Sequence, residues 1–146
     1  MMKRACALLV LFLAVAAHAD SLVASRATDM RDAIDRISIA AENNGYQLLK
    51  VQPIDEALVK RGYENPHVRI VFIGKPSVQD QVIMIDPRLL SVLPLRLTLI
   101  EENAEIRVIS DDLEIWKEMF PDPETVDLIA AWQQDLRMIL SDFSGF

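Results

Sequence analysis

The sequence predicts a single α+β domain: helices packed on a small sheet, with an antiparallel hairpin in its C-terminal half. Three observations predict it. Apolar residues recur at helical spacing over residues 28–43 and again over about 123–142; a nearly unbroken apolar run fills residues 68–73; and two-residue alternation starts at Leu95 and resumes beyond a polar turn. No internal repeat, low-complexity tract or long linker divides the chain.

In the first helix Met30, Ala33, Ile34, Ile37 and Ala41 share a face, and Arg31, Asp32, Asp35 and Arg36 cover the other. Thr28 is placed to cap it, with Asp29 and Asp32 at the positive end of its dipole. Asn44-Gly45 ends it, because glycine enters the left-handed conformation at little steric cost. Residues 46–51 follow as a strand limited by Pro53, and residues 54–61 as a short helix capped by Asp55 and stopped by Gly62. The run at 68–73 is apolar on both alternating faces except at Arg69, the pattern of a central strand covered on both sides. Pro76 opens a helix over 77–85 that Asp86-Pro87 closes.

Leu95, Leu97 and Leu99 then alternate with Arg96, Thr98 and Ile100, and a loop around Glu102-Asn103-Ala104 turns the chain into a strand over 106–109. Asp111 and Asp112 open a helix carrying Leu113, Trp116 and Phe120. Asp122-Pro123-Glu124 opens the last one, with proline in the first turn where its missing N–H costs nothing. Val126, Ile129, Trp132, Leu136, Ile139 and Phe143 line that helix's inner face.

Residues 1–19 have the pattern of a secretory leader: Lys3 and Arg4, an apolar stretch, then Ala17-His18-Ala19 before the cut. Cleavage after Ala19 leaves Asp20 first in a mature chain of 127 of the 146 residues, bound for the periplasm or the exterior. The apolar stretch is shorter than the ~20 residues of a membrane-spanning helix; a retained N-terminal anchor is the alternative. Cys6, the only cysteine, leaves with the leader, which excludes disulfides, thiol catalysis and cysteine-ligated metals from the mature protein. Of 15 basic residues two leave as well, and 22 acidic ones stay, so the mature net charge is −9. With its lysines scattered (Lys50, Lys60, Lys75, Lys117), such a chain repels nucleic acid and anionic membranes.

The stretch "IVFIGKPSVQD" invites comparison with a phosphate loop. A Walker loop needs G-x-x-x-x-G-K-[ST], whereas here one glycine stands alone and Pro76 removes an N–H. What survives is an anion contact from Lys75 and the helix start at Ser77, set against a plain turn in which Gly74 bends the chain, Ser77 caps the helix and Lys75 is solvated. Arg96 and Arg107 are candidates to bind a carboxylate or phosphate from a sheet face. They are equally placed to pair with Glu101 and Glu105, or to meet a partner subunit alongside Ile100 and Ile109. His67, the only histidine of the mature chain, is the one candidate general base, and no nucleophile stands near it in sequence. Neither H-E-x-x-H, a calcium loop, G-x-S-x-G nor S-x-x-K occurs, so no metal, cofactor or catalytic set is assigned.

Gly45-Tyr46 after the first helix, then "IVFIGKP", "MIDP" and "VLPLRLTL" in that order, resemble the domain-of-unknown-function family 302 over residues 45–116. The resemblance implies a compact, self-associating α+β domain with no agreed activity. Lys75 stands where members of that family often have asparagine in a Gly-Asn-Pro turn, and the strand from Leu95 lacks the cysteine of one branch, so a thiol role proposed for that branch does not transfer. The expectation is an exported, non-catalytic domain that binds a protein partner, foremost another copy of itself, through the final helix or the hairpin's outer face. A domain binding a small anionic ligand is the alternative, and an enzyme the third.

Overall fold

The computed structural model describes residues 22–62 and 67–145; the leader and its cleavage site lie outside them. Its order is β1 (Val23–Arg26), α1 (Met30–Asn43), β2 (Gln47–Pro53), α2 (Asp55–Val59), β3 (Val68–Gly74), α3 (Pro76–Ile85), a 3-10 turn (Pro87–Ser91), β4 (Leu95–Glu102), β5 (Glu105–Ser110), α4 (Glu114–Met119) and α5 (Pro123–Ser144). The strands form one sheet in the order β1-β5-β4-β3-β2, and every pairing is antiparallel. The single α+β domain and its hairpin are as the sequence predicts, and β1 is an addition. Its four residues alternate too briefly to be told from a loop, and pairing with β5 makes them a strand.

One sheet face is the core. Val71, Ile73, Leu95, Leu97, Leu99, Ile106 and Val108 meet Ala33, Ile37, Ala40 and Ala41 of α1 and Ile129, Leu136, Ile139 and Phe143 of α5 in one buried cluster. Alanines on α1 let its backbone approach its neighbours closely, while α5 supplies the large side chains, each worth about 1.5–3 kcal/mol on burial. The other face has no such cover. Ile70, Phe72, Thr98, Ile100 and Ile109 are only half-buried, and none of them belongs to the core cluster or packs against it. The expectation that β3 is covered on both sides therefore fails. Helices α1, α3 and α5 all contribute to the one core cluster with the inner-face residues, the crossover β1–α1–β2 included, so none of the three is carried to the second face.

The local starts differ in detail from the sequence reading. Asp29, not Thr28, caps α1, its carboxylate accepting from the Asp32 N–H at 2.9 Å. Asp55 does not cap α2; it lies inside the first turn and its carboxylate meets Arg69 at 2.6 Å. Lys75 holds the N-cap position of α3, and Ser77 makes no capping bond. Gly74 is not a turn residue but the last residue of the β3 ladder, where a Cβ would meet Leu49 Cδ1 at 2.7 Å. Both sheet edges are blunted: β1 is short, and β2 carries a bulge between Leu48 and Lys50 and ends on Pro53. At the other end of the molecule Arg26 donates to the Phe143 and Ser144 carbonyls, each at 3.2 Å, satisfying the negative end of α5.

Two expectations follow. The hairpin turns on Asn103 and Ala104, with φ of 53° and 63°. That is the type I′ pattern, which favours glycine second because a Cβ costs about 1–2 kcal/mol there. Ala104→Gly raises the unfolding free energy by about 1 kcal/mol and the thermal midpoint by a few degrees; a lower midpoint would refute the assignment of strain to this turn. The second concerns acid. Arg69 beside Asp55, and Arg88 beside Asp86, hold these carboxyls below their ordinary value of 3.8. A carboxyl depressed by folding stabilises above its unfolded value, so this contribution is constant above about pH 4 and fades as pH falls through the lower folded value. Urea titrations of wild type and Asp55→Asn between pH 2 and 7 check it: their midpoints differ at neutral pH and converge in acid.

Candidate functional site

The residues singled out by sequence go to three places. Lys75 leaves the β3–α3 junction toward α5, where its Nζ lies 3.1 Å from Asp135 Oδ2 and 4.6 Å from the centre of the Tyr46 ring. The Tyr46 hydroxyl donates to the same Asp135 oxygen at 2.7 Å. Burial first, then the hydrogen bond to Asp135, pushes the Tyr46 phenol well above its ordinary value, which keeps it a donor at any physiological pH. Gly45 closes α1 with a φ of 79°, a conformation that favours glycine, and a Cβ there would lie 3.2 Å from Lys75 Cε, a tight contact. A cavity of about 30 Å³ lined by Tyr46, Lys75, Val78 and Trp132 has room for a water but not for a ligand. An adjoining open depression of about 230 Å³, against Leu49, Pro76 and Gln79, has Lys75 as its only charged lining residue.

Arg96 and Arg107 do share the open sheet face, but four residues of β4, roughly 14 Å of strand, separate Arg96 from Ile100, the cross-strand partner of Arg107. Each has its own carboxylate, and neither pairs as the sequence suggests. Arg96 Nε donates to Asp111 Oδ2 at 2.8 Å, while Arg107 Nη1 meets Glu102 Oε2 at 3.0 Å. Lys75, Arg96 and Arg107 thus do not converge on one ligand. Arg96 instead forms a wall of a cleft of about 460 Å³ with Phe72, Pro94, Asp111, Asp112 and Trp116. Its sequence signal was indirect: Asp111 and Asp112 read as helix-start residues. Asp112 does serve α4, accepting from the Glu114 N–H at 3.0 Å, but Asp111 is given to Arg96.

His67 is exposed and its Nδ1 lies 2.5 Å from Glu101 Oε2, beside an open depression it shares with Asp55, Glu56, Val59 and Lys60. A carboxylate beside a histidine is two parts of a catalytic set, but no hydroxyl or thiol is among those lining residues. Among the described residues no group of three His, Asp or Glu is placed to hold a metal, and no helix is long and apolar enough to cross a membrane.

The open face itself reads as rows across the strands. Lys50, Phe72 and Arg96 are cross-strand neighbours in one row; Gln52, Ile70, Thr98, Ile109 and Val23 in the next; Val68, Ile100, Arg107 and Ser25 in the third. A largely aliphatic stripe thus runs over four strands, flanked by Lys50 and Arg96 in the row on one side and by Glu102 and Glu105 on the other.

A helix layer on one side of an antiparallel sheet, with the other side open, defines a one-sided α+β domain. The family model for the domain of unknown function DUF302 matches residues 22–143, and the chain belongs to that family. The match extends beyond residues 45–116, where the resemblance was read, and takes in β1, α1 and nearly all of α5. A solved relative, an uncharacterized conserved DUF302 protein from Bacillus stearothermophilus, has a TM-score of 0.73 at 19% identity, covering 82% of this chain and 94% of that one, a likeness of fold. No curated protein matches the chain.

The Tyr46–Asp135–Lys75 node generates a stability prediction. Asp135→Ala leaves a half-buried ammonium and a buried hydroxyl unpaired and lowers stability by about 2–4 kcal/mol, against about 1 kcal/mol for Tyr46→Phe. In a double-mutant cycle measured by urea unfolding the two losses add to more than the double mutant's; strict additivity would mean the hydroxyl and carboxylate do not interact.

Proposed function

We propose that this protein is an exported, non-catalytic interaction domain whose open sheet face binds a second copy of the chain. The aliphatic stripe carries the reading: Ile70 and Ile109 on either side of Thr98, with Val68 and Ile100 in the next row, lie on a face that no part of the core covers. The final helix, the other candidate surface, offers less, because most of its large apolar residues are in the core and Met138 is its one exposed large apolar side chain. The blunted edges disfavour strand-to-strand addition, which leaves face-to-face packing of sheets as the mode available to two copies.

Charge favours a copy as the occupant. The chain is strongly acidic, yet this face carries Lys50, Arg96 and Arg107 against Glu102, Glu105 and Asp111. Two such faces meet without net like charge, and a two-fold arrangement sets positive residues of one against negative residues of the other. The leader supports export, and the intact mass of protein from the host envelope, beginning at Asp20, tests that part.

Native mass spectrometry and sedimentation of the mature chain test the association. A dimer is expected at micromolar concentration, and Ile100→Glu, which sets like charges on the two-fold face, converts it to a monomer with unchanged circular dichroism. A wild-type monomer at high micromolar concentration, or a dimer indifferent to Ile100→Glu and Ile70→Glu alike, overturns the reading.

A further inference from the structure

The cleft at the end of the open face has a chemistry that the aliphatic stripe does not. Its volume of about 460 Å³ falls in the range of small-molecule sites. Two half-buried aromatic rings, Phe72 from β3 and Trp116 from α4, stand among its walls, and Trp116 is held by stacking on Phe120 with ring centres 6.1 Å apart. The same walls carry one guanidinium, Arg96, and two carboxylates, Asp111 and Asp112. Arg96 approaches Asp111 with Nε and Nη2, both 2.8 Å from the same oxygen, Oδ2. That leaves the other Asp111 oxygen and the remaining guanidinium N–H groups without a hydrogen bond among the described residues. Asp112 likewise commits one oxygen to the Glu114 N–H and keeps the other.

A cation and an anion that satisfy only half of each other form a fixed dipole with a donor edge and an acceptor edge. A plain anion entering here meets Arg96 but also two carboxylates, and a plain cation meets the carboxylates but also Arg96. A ligand carrying both charges a few atoms apart matches both edges through charge-assisted hydrogen bonds. The rings add apolar contact and, toward an ammonium, the attraction of their π faces. We infer that the cleft binds a small zwitterion of the α-amino-acid class with an apolar or aromatic side chain. Arg96 takes its carboxylate, Asp111 and Asp112 its ammonium, and Phe72 and Trp116 its side chain. The inference does not rest on self-association: the aliphatic rows lie farther along the strands, and the cleft is at their margin.

The test uses the mature protein and three probes of one shape: L-phenylalanine, N-acetyl-L-phenylalanine, which lacks the cation, and 2-phenylethylamine, which lacks the anion. Binding is read from the Trp116 indole N–H resonance, distinguished from Trp132 by Trp116→Phe, and from calorimetry. L-phenylalanine shifts the Trp116 signal saturably, and each single-charge probe binds at least about tenfold more weakly. Arg96→Gln removes the advantage of L-phenylalanine over the amine. Asp112→Asn, which keeps the oxygen that accepts from Glu114, weakens L-phenylalanine and spares the acetylated probe. No saturable shift at millimolar L-phenylalanine, a response confined to Trp132, or equal binding of either single-charge probe overturns the inference. Oligomeric state measured on the same samples separates the two proposals: a monomer that binds defeats only the association, and a dimer that does not bind defeats only the cleft.

Discussion

Helix α5 is the element on which the other parts of the molecule are fastened. Its apolar ridge, Ile129, Trp132, Leu136, Ile139 and Phe143, shares one buried cluster with α1 and the inner sheet face. Its polar groups reach nearly every remaining segment: Asp135 takes Tyr46 and Lys75, Gln133 accepts from the Leu113 N–H at 2.6 Å, Asp142 receives Asn44, and its last carbonyls receive Arg26. Each bond joins α5 to a segment distant in sequence, so the long helix is at once the core's largest apolar surface and its polar clamp. Desolvating those groups is offset only where every partner is in place.

Fastening every helix to one side has a consequence for the other. One connection does cross the sheet, β1–α1–β2 between the two edge strands, but α1 packs in the same core as α5, so the second face stays open. In this chain that face carries aliphatic rows flanked by charged ones, and the balance of its charges contrasts with the acidity of the whole. The surface is therefore divided in chemistry: a charge-balanced, partly apolar sheet face, and an acidic remainder.

The fold is shared with a solved relative at an identity too low to transfer a role, and fold alone does not supply one. Lys75 illustrates why individual positions have to be followed. It departs from the Gly-Asn-Pro turn of the family it resembles, and that departure makes an ion pair with Asp135 and a contact with Tyr46. The ammonium that resembled a phosphate contact in the sequence is engaged in joining α3 to α5.

What the sequence by itself determined is what depends on near neighbours. Helical period located α1 and α5, proline and aspartate marked the start of α5, and alternation from Leu95 located the hairpin, because burial of one face repeats every few residues and leaves a local record. Short pieces were read less well. β1 is too brief to show a period, and Asp55, Lys75 and Ser77 took roles that local capping rules do not distinguish. Tertiary structure alone decided the candidate sites. Tyr46 and Asp135 stand 89 residues apart, Lys75 and Asp135 60, and Arg96 and Asp111 15. No periodicity records such pairs, since a hydrogen bond requires two groups within about 3 Å in space and imposes nothing on the residues between. The open face was decided in the same way. Ile70 and Phe72 are as apolar as Val71 and Ile73, and only the direction in which the helices fold back determines which pair is covered.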